Sequence, residues 1–250
     1  MAVKVVANIA ESEIACISTS VKSYYATTRI ARTTTNIVRT TNKEFQDIEG
    51  ILVVSSNPRR DLDNIREETE NLVKSIKKEL EEVKIKEVSD QQATKENVIR
   101  ELETGKYQVL HYSGHSGYNP EDPGQSYLLL CRENRHMEES KLIADELARL
   151  SVEGNLRLVF LNSCYSGKSG GLDEGVMGLA DSFVRAGVPF VIGMMWRITD
   201  DGGLLLAKEF YRQLMKTKDP IGALSKARIV VGYVFNWEDP TWAAPVIYTQ

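Results

Sequence analysis

An α/β fold, a three-layer α/β/α sandwich on a mostly parallel central sheet, is the class this sequence predicts. Two observations carry that expectation. Short apolar runs without polar alternation recur along the chain, as strands covered on both faces require. Amphipathic helical stretches separate them in a regular strand–helix rhythm. At 250 residues the chain is long enough for one large core.

Residues 1–45 read as a helical extension, used for docking or regulation. Ile14, Ile17, Val21, Tyr24, Thr28, Ala31, Thr35 and Val38 step alternately by three and four, a heptad-like seam. Such a seam packs on the chain's own domain, on a partner, or on a second copy through residues 14–38. Residues 46–250 form the main domain. Ile51–Val54 opens it as a buried strand. Asp63 can cap a helix bearing Ile65, Leu72, Val73, Ile76, Leu80 and Val83 on one face. Thr94 starts a short helix to Leu102, with Gly105 beyond it. Gln108–Tyr112 is the next strand, and Tyr127–Cys131 a further candidate. Ser140 can cap a helix with Leu142, Ile143, Leu147 and Leu150 as its stripe. Leu158–Leu161 and Phe190–Met194 are buried strands. A helix over 174–186 stops at Gly187. Two more run over 201–215 and 220–233, the second opened by Pro220, a residue suited to a first turn. Val246–Tyr248 is a last strand.

Composition narrows the function. The formal net charge is −4, from 31 basic and 35 acidic residues, so no nucleic-acid partner is expected. Apolar runs such as Gly187–Trp196 fall far short of the ~20 residues a membrane helix needs. Asn8, Glu11 and Glu13 interrupt any signal-peptide core. Three cysteines, Cys16, Cys131 and Cys164, do not make a disulfide framework, which points to a reducing, cytoplasmic location. The three histidines are scattered and no Cys/His pair has zinc spacing, so no metal is expected. Glu121-Asp122-Pro123-Gly124 lacks the ligand order of a calcium loop. Ser166-Gly167-Lys168-Ser169 is only a fragment of a phosphate loop, so no cofactor is expected either.

Two loops follow core strands at their carboxyl ends, where α/β sheets concentrate function. The first is His111-Tyr112-Ser113-Gly114-His115-Ser116-Gly117, in which Gly114 and Gly117 permit tight turns around His115. His111 lies inside the strand and reads as a core histidine. The second is Leu161-Asn162-Ser163-Cys164-Tyr165-Ser166-Gly167. A cysteine there is well placed as a nucleophile, although most cysteines are small buried hydrophobes. Strands of one parallel sheet send both loops to the same edge, so Cys164 and His115 can meet. The thiolate is the reactive form. An imidazole beside it can take the thiol proton and return one to a leaving amine.

These blocks, in this order, resemble the caspase-like cysteine peptidases of the caspase and separase group (clan CD), and most closely the CHAT domain. Further blocks support the resemblance: Val54-Ser55-Ser56-Asn57-Pro58 with Asp61-Leu62, Gly187–Trp196, Phe210-Tyr211, Ala223–Ala227, and Asp239-Pro240-Thr241-Trp242-Ala243-Ala244-Pro245. It covers roughly residues 48–250. The resemblance implies a caspase-like sandwich and a dyad, with Cys164 as nucleophile and His115 as general acid/base. It also implies an oxyanion hole from the amide of Cys164 and amides after His115, with Gly114, Ser116 and Gly117 as the local candidates. One departure is Ser116, where the family commonly has Gly directly after the catalytic histidine.

Related peptidases that cut after Arg or Lys often carry Asp where this chain has Asn162. The specificity pocket is therefore expected to prefer an uncharged residue, with Asn162, Trp196, Arg197 and Asp200 as its candidate residues. Asp173, Glu174 and Asp201 are further acidic residues near the same edge. By resemblance, the chain is a regulated bacterial protease in defence or programmed cell death. Its partners would be a protein substrate, such as a gasdermin-like pore-former, and a sensor or regulatory protein. Two other readings stand beside this one: a catalytically silent caspase-like interaction module, and a nucleotide-binding α/β domain.

Overall fold

A computed structural model describes residues 4–6, 48–62, 64–132, 135–153, 155–162, 174–196 and 198–249. The seam Ile14–Val38, the cap Asp63, the phosphate-loop fragment, Cys164 and Arg197 lie outside the described residues.

The chain runs β1 (Lys4–Val6), β2 (Gly50–Ser56), α1 (Ile65–Glu79), β3 (Lys84–Ser89), α2 (Lys95–Glu103), β4 (Val109–Gly114), β5 (Ser116–Gly117), β6 (Tyr127–Arg132) and β7 (Arg135–Ile143). It continues as α3 (Ala144–Glu153), β8 (Leu158–Asn162), α4 (Glu174–Ala186), β9 (Phe190–Met194), α5 (Asp200–Thr217), α6 (Pro220–Val234) and β10 (Pro245–Thr249). The central sheet has seven strands in the order β1-β10-β9-β8-β4-β2-β3. From β9 to β3 all neighbours are parallel, while β10 runs antiparallel to β9 and β1 antiparallel to β10.

Alternation along each strand splits the core into two layers. Leu52 and Val54 of β2, Leu110 and Tyr112 of β4, and Val159 and Leu161 of β8 face the layer closed by α2, α3 and α4. Ile51, Val53, Val109, Leu158 and Phe160 face the layer closed by α1, α5 and α6. The α/β/α sandwich expected from the sequence is the fold observed.

Most helix boundaries follow their local signals. Thr94 caps α2, its hydroxyl accepting from the Asn97 amide at 3.2 Å. Asp219 accepts from the Ile221 amide at 3.0 Å, with Pro220 opening α6. Helix α4 spans the expected residues and ends at Gly187, whose φ of 123° suits glycine.

Three expectations are corrected. Tyr127–Cys131 is a strand, but of a separate antiparallel sheet in the order β5-β6-β7. Ser140 caps no helix, because β7 continues through Leu142 and Ile143 and α3 starts at Ala144. Helix α1 stops at Glu79, and Val83 is buried beyond it, in the turn before β3. A further strand, β3, has no apolar run to mark it, since Lys84, Lys86 and Glu87 interrupt the sequence there. It is an edge strand, and exposed lysines there discourage pairing with another chain. In addition, residues 4–6 form an edge strand of the central sheet, although they fall within the segment set apart as an extension. Among the described residues, no helix is long and apolar enough to cross a membrane.

Candidate active site

The site is laid out by strand register. Ser56 at the end of β2 lies beside Gly114 of β4, and Ser113 of β4 lies beside Asn162 of β8. Adjacent strands are ~4.8 Å apart, so the ends of β2, β4 and β8 lie side by side. His115 belongs to the middle segment. Cys164 follows Asn162 by two residues in the sequence.

The turn after β2 is organised by Asn57. Its side-chain oxygen accepts from the Asp61 amide at 3.2 Å, and its side-chain nitrogen donates to the Leu62 carbonyl at 3.0 Å. Its own carbonyl accepts from the Arg60 amide at 3.1 Å. Arg60 takes a φ of 57° to close the turn. The result is Asp61 held over the end of β4, its Oδ1 2.6 Å from Nε2 of His115. The imidazole is 3% exposed and the carboxylate 50%.

The backbone of His115 is pinned as firmly. The Tyr112 hydroxyl lies 2.6 Å from the His115 carbonyl oxygen and 2.7 Å from that of Leu129, sharing its proton between them. The Leu129 amide donates to the same His115 carbonyl at 2.9 Å. Gly114, at φ 153°, makes room for this arrangement. A Cβ there would lie 2.5 Å from the Ser56 carbonyl oxygen and 2.6 Å from the Tyr112 hydroxyl. Gly117 pairs with Tyr127, and a Cβ on it would strike the tyrosine ring at 2.4 Å. Ser116 occupies β5 opposite Leu128 and is half-buried.

Charges alternate around His115. Partial burial of the Asp61 carboxyl pushes its pKa up, but the hydrogen bond and charge of His115 outweigh this and hold it below the ordinary value. Arg59 pairs with Glu139 of β7 at 2.6 Å. That bond lowers the Glu139 pKa and raises that of Arg59. His111 lies in the opposite core layer. Its Nδ1 is 2.9 Å from the Tyr211 hydroxyl and its ring stacks on Phe160 with centroids 4.8 Å apart. Burial drives its pKa down to about 3, so it stays neutral in the core, as expected of a strand histidine.

Of the pocket candidates, Asn162, Trp196 and Asp200 are described. Asn162 is half-buried at the end of β8. Trp196 follows β9, the next strand, and its indole N–H donates to the Pro240 carbonyl at 3.3 Å. Asp200 is exposed at the start of α5. Thr199, which caps that helix, donates to Asp239 at 2.5 Å, tying the Trp196 segment to the turn before β10. Two neighbours of His115, Asp61 and Tyr112, stand in the sequence blocks but are not among the site residues expected from them. Asp61 is 54 positions away in the chain, and only the adjacency of β2 and β4 brings it close. The signal available was an Asn-Pro turn directly after a core strand, with an Asp at its end.

Comparison with known proteins agrees with the sequence blocks. The CHAT domain family matches residues 16–250, beginning inside the segment set apart at the N terminus. Among solved structures, protein GSU0716 from Geobacter sulfurreducens is similar at 21% identity, with a TM-score of 0.34. The similarity covers 48% of this chain and 52% of that one, so the chain matches about half of that protein's length. None of the curated proteins matches. The match over nearly all of its length makes this chain a member of the CHAT domain family, a family of caspase-like peptidase domains.

Proposed function

We propose that this chain is a cysteine endopeptidase in which Cys164 is the nucleophile and His115 the general acid/base. The observation that carries the reading is the register of β4 with β8. A buried imidazole stands at the end of one strand, and the neighbouring strand leads into Cys164. In the reaction, His115 takes the thiol proton as sulfur adds to the scissile carbonyl carbon. It then gives that proton to the departing amine, leaving a thioester. Water, deprotonated by the same imidazole, adds to the thioester and releases the acid and the thiol. Amides of Cys164 and of the Gly114-His115-Ser116-Gly117 stretch would stabilise the oxyanion.

Asn162, Trp196, Arg197 and Asp200 would line the pocket for the residue before the scissile bond. The substrate is a protein, with a gasdermin-like pore-former as one candidate, and the setting a cytoplasmic defence or cell-death response under a sensor protein. Residues 14–38 would dock that sensor or a second copy of the chain. These assignments rest on the family resemblance.

A thiol-directed peptide probe tests the chemistry. Labelling at Cys164 that is lost in Cys164→Ala and strongly reduced in His115→Ala, but kept in His111→Phe, is the expected result. Equal peptide cleavage by wild type and Cys164→Ala would overturn the assignment. No labelling and no cleavage by the wild type would favour the interaction module.

A further inference from the structure

We propose that Asp61 is the positioning residue for His115: its carboxylate accepts the Nε2 proton and so selects the tautomer whose lone pair is on Nδ1. The inference deepens the proposed dyad and, for its role in catalysis, rests on it. A neutral imidazole has one N–H and one lone pair, and the partner of one nitrogen decides which it carries. Ionised carboxylates only accept, so a carboxylate oxygen 2.6 Å from Nε2 places the proton there. Nδ1 is then the nitrogen that takes a proton from the thiol. When it does, the ring becomes a cation in a site only 3% exposed, and Asp61 offsets that buried charge.

The surroundings of Asp61 fit this task. Asn57 holds its backbone through the amide contact at 3.2 Å, so the carboxylate is presented by a closed turn. Arg59 lies two residues away and is the natural competitor for Asp61. Glu139 engages it at 2.6 Å, leaving Oδ1 for the imidazole. The charged groups acting on the pair are Arg59 from the same turn and Glu139 from β7, and Lys141 of β7 acts on Glu139. Tyr112 fixes the His115 carbonyl at 2.6 Å, so ring and backbone are both constrained.

The test uses Asp61→Asn, which keeps an oxygen acceptor but removes the charge, together with Asp61→Ala and Asp61→Glu. Imidazole 15N chemical shifts of the full chain report the tautomer of the neutral ring without any need for turnover. The expected result is a single Nε2–H tautomer in the wild type and a mixture of tautomers in Asp61→Ala. Peptide cleavage should fall about 10- to 100-fold in kcat with little change in KM, and Asp61→Glu should recover part of it. Nδ1 protonation in the wild type, or the same single tautomer in Asp61→Ala, would overturn the proposal whether or not the chain cleaves peptides. Wild-type kcat in Asp61→Asn, while Cys164→Ala is inactive, would overturn the role of Asp61 and leave the dyad standing. An active Cys164→Ala protein would overturn the dyad, and with it Asp61's part in catalysis.

Discussion

His111 and Tyr211 meet across the interface of β4 and α5, Nδ1 to hydroxyl at 2.9 Å, with both side chains shielded from solvent. Nε2 of His111 has no partner among the described residues. The ring therefore tolerates no charge, and burial lowers its pKa from 6.5 to about 3. A group whose folded pKa is depressed contributes its stability fully above the unfolded value. Between pH 6.5 and about 3 the unfolded chain binds the extra proton, so stability falls as pH falls, by up to ~1.4 kcal/mol per pH unit. Denaturant midpoints measured from pH 7.5 to 4.5 should show this slope. His111→Phe keeps the stack on Phe160, removes the titration, and should flatten the profile. An equal acid slope in His111→Phe would assign the effect to other groups.

Tyr211→Phe should cost about 1–3 kcal/mol at neutral pH, because it leaves both ring nitrogens of His111 without a partner. Equilibrium unfolding in urea measures it. Cleavage, governed by the other core layer and the sheet edge, should persist in the folded fraction.

Gly114→Ala should be among the most damaging single changes near the site. The new Cβ would press on the Ser56 carbonyl and the Tyr112 hydroxyl at a φ that L residues avoid, costing about 2–4 kcal/mol. Tyr112→Phe is milder, about 1 kcal/mol, since the His115 carbonyl keeps the Leu129 amide. Both should reduce cleavage through the placement of His115. Full activity in Gly114→Ala would show that the loop adjusts freely.

Cys131 should react slowly with iodoacetamide in the native protein and readily after denaturation. It is 8% exposed, its sulfur is 3.8 Å from the Ser56 hydroxyl, and burial pushes its thiol pKa up. Cys131→Ala should retain cleavage with a stability loss of ~1–2 kcal/mol. Rapid native labelling of Cys131 would contradict the packing described here.

A peptide library should reveal no strict demand for Arg or Lys before the scissile bond. Asn162 ends β8 without a charge, and burying a cation without a carboxylate is costly. Strict Arg preference would instead direct attention to Asp200 and Asp201, exposed in the first turn of α5.

Much of this molecule was written in short-range patterns. The runs at Ile51, Val109, Leu158 and Phe190 are strands because apolar residues without alternation require cover on both faces. Thr94 and Pro220 begin their helices by local hydrogen bonding and fixed φ. His115 and Cys164 stood out because each follows such a strand in a Gly- or Ser-rich loop. The tertiary structure decided what local patterns do not encode. Lys84–Ser89 is a strand only because the hydrogen-bonding edge of β2 accepts it at the margin of the sheet. Tyr127–Cys131 left the central sheet because Ser116–Gly117 and Arg135–Ile143 offered it antiparallel partners. Asp61 stands in the sequence only as part of the block that follows the Asn-Pro turn, with nothing there to pair it with His115. Its bond to His115 arises from the parallel register of β2 and β4, a contact between residues far apart in the chain that only the folded sheet brings together.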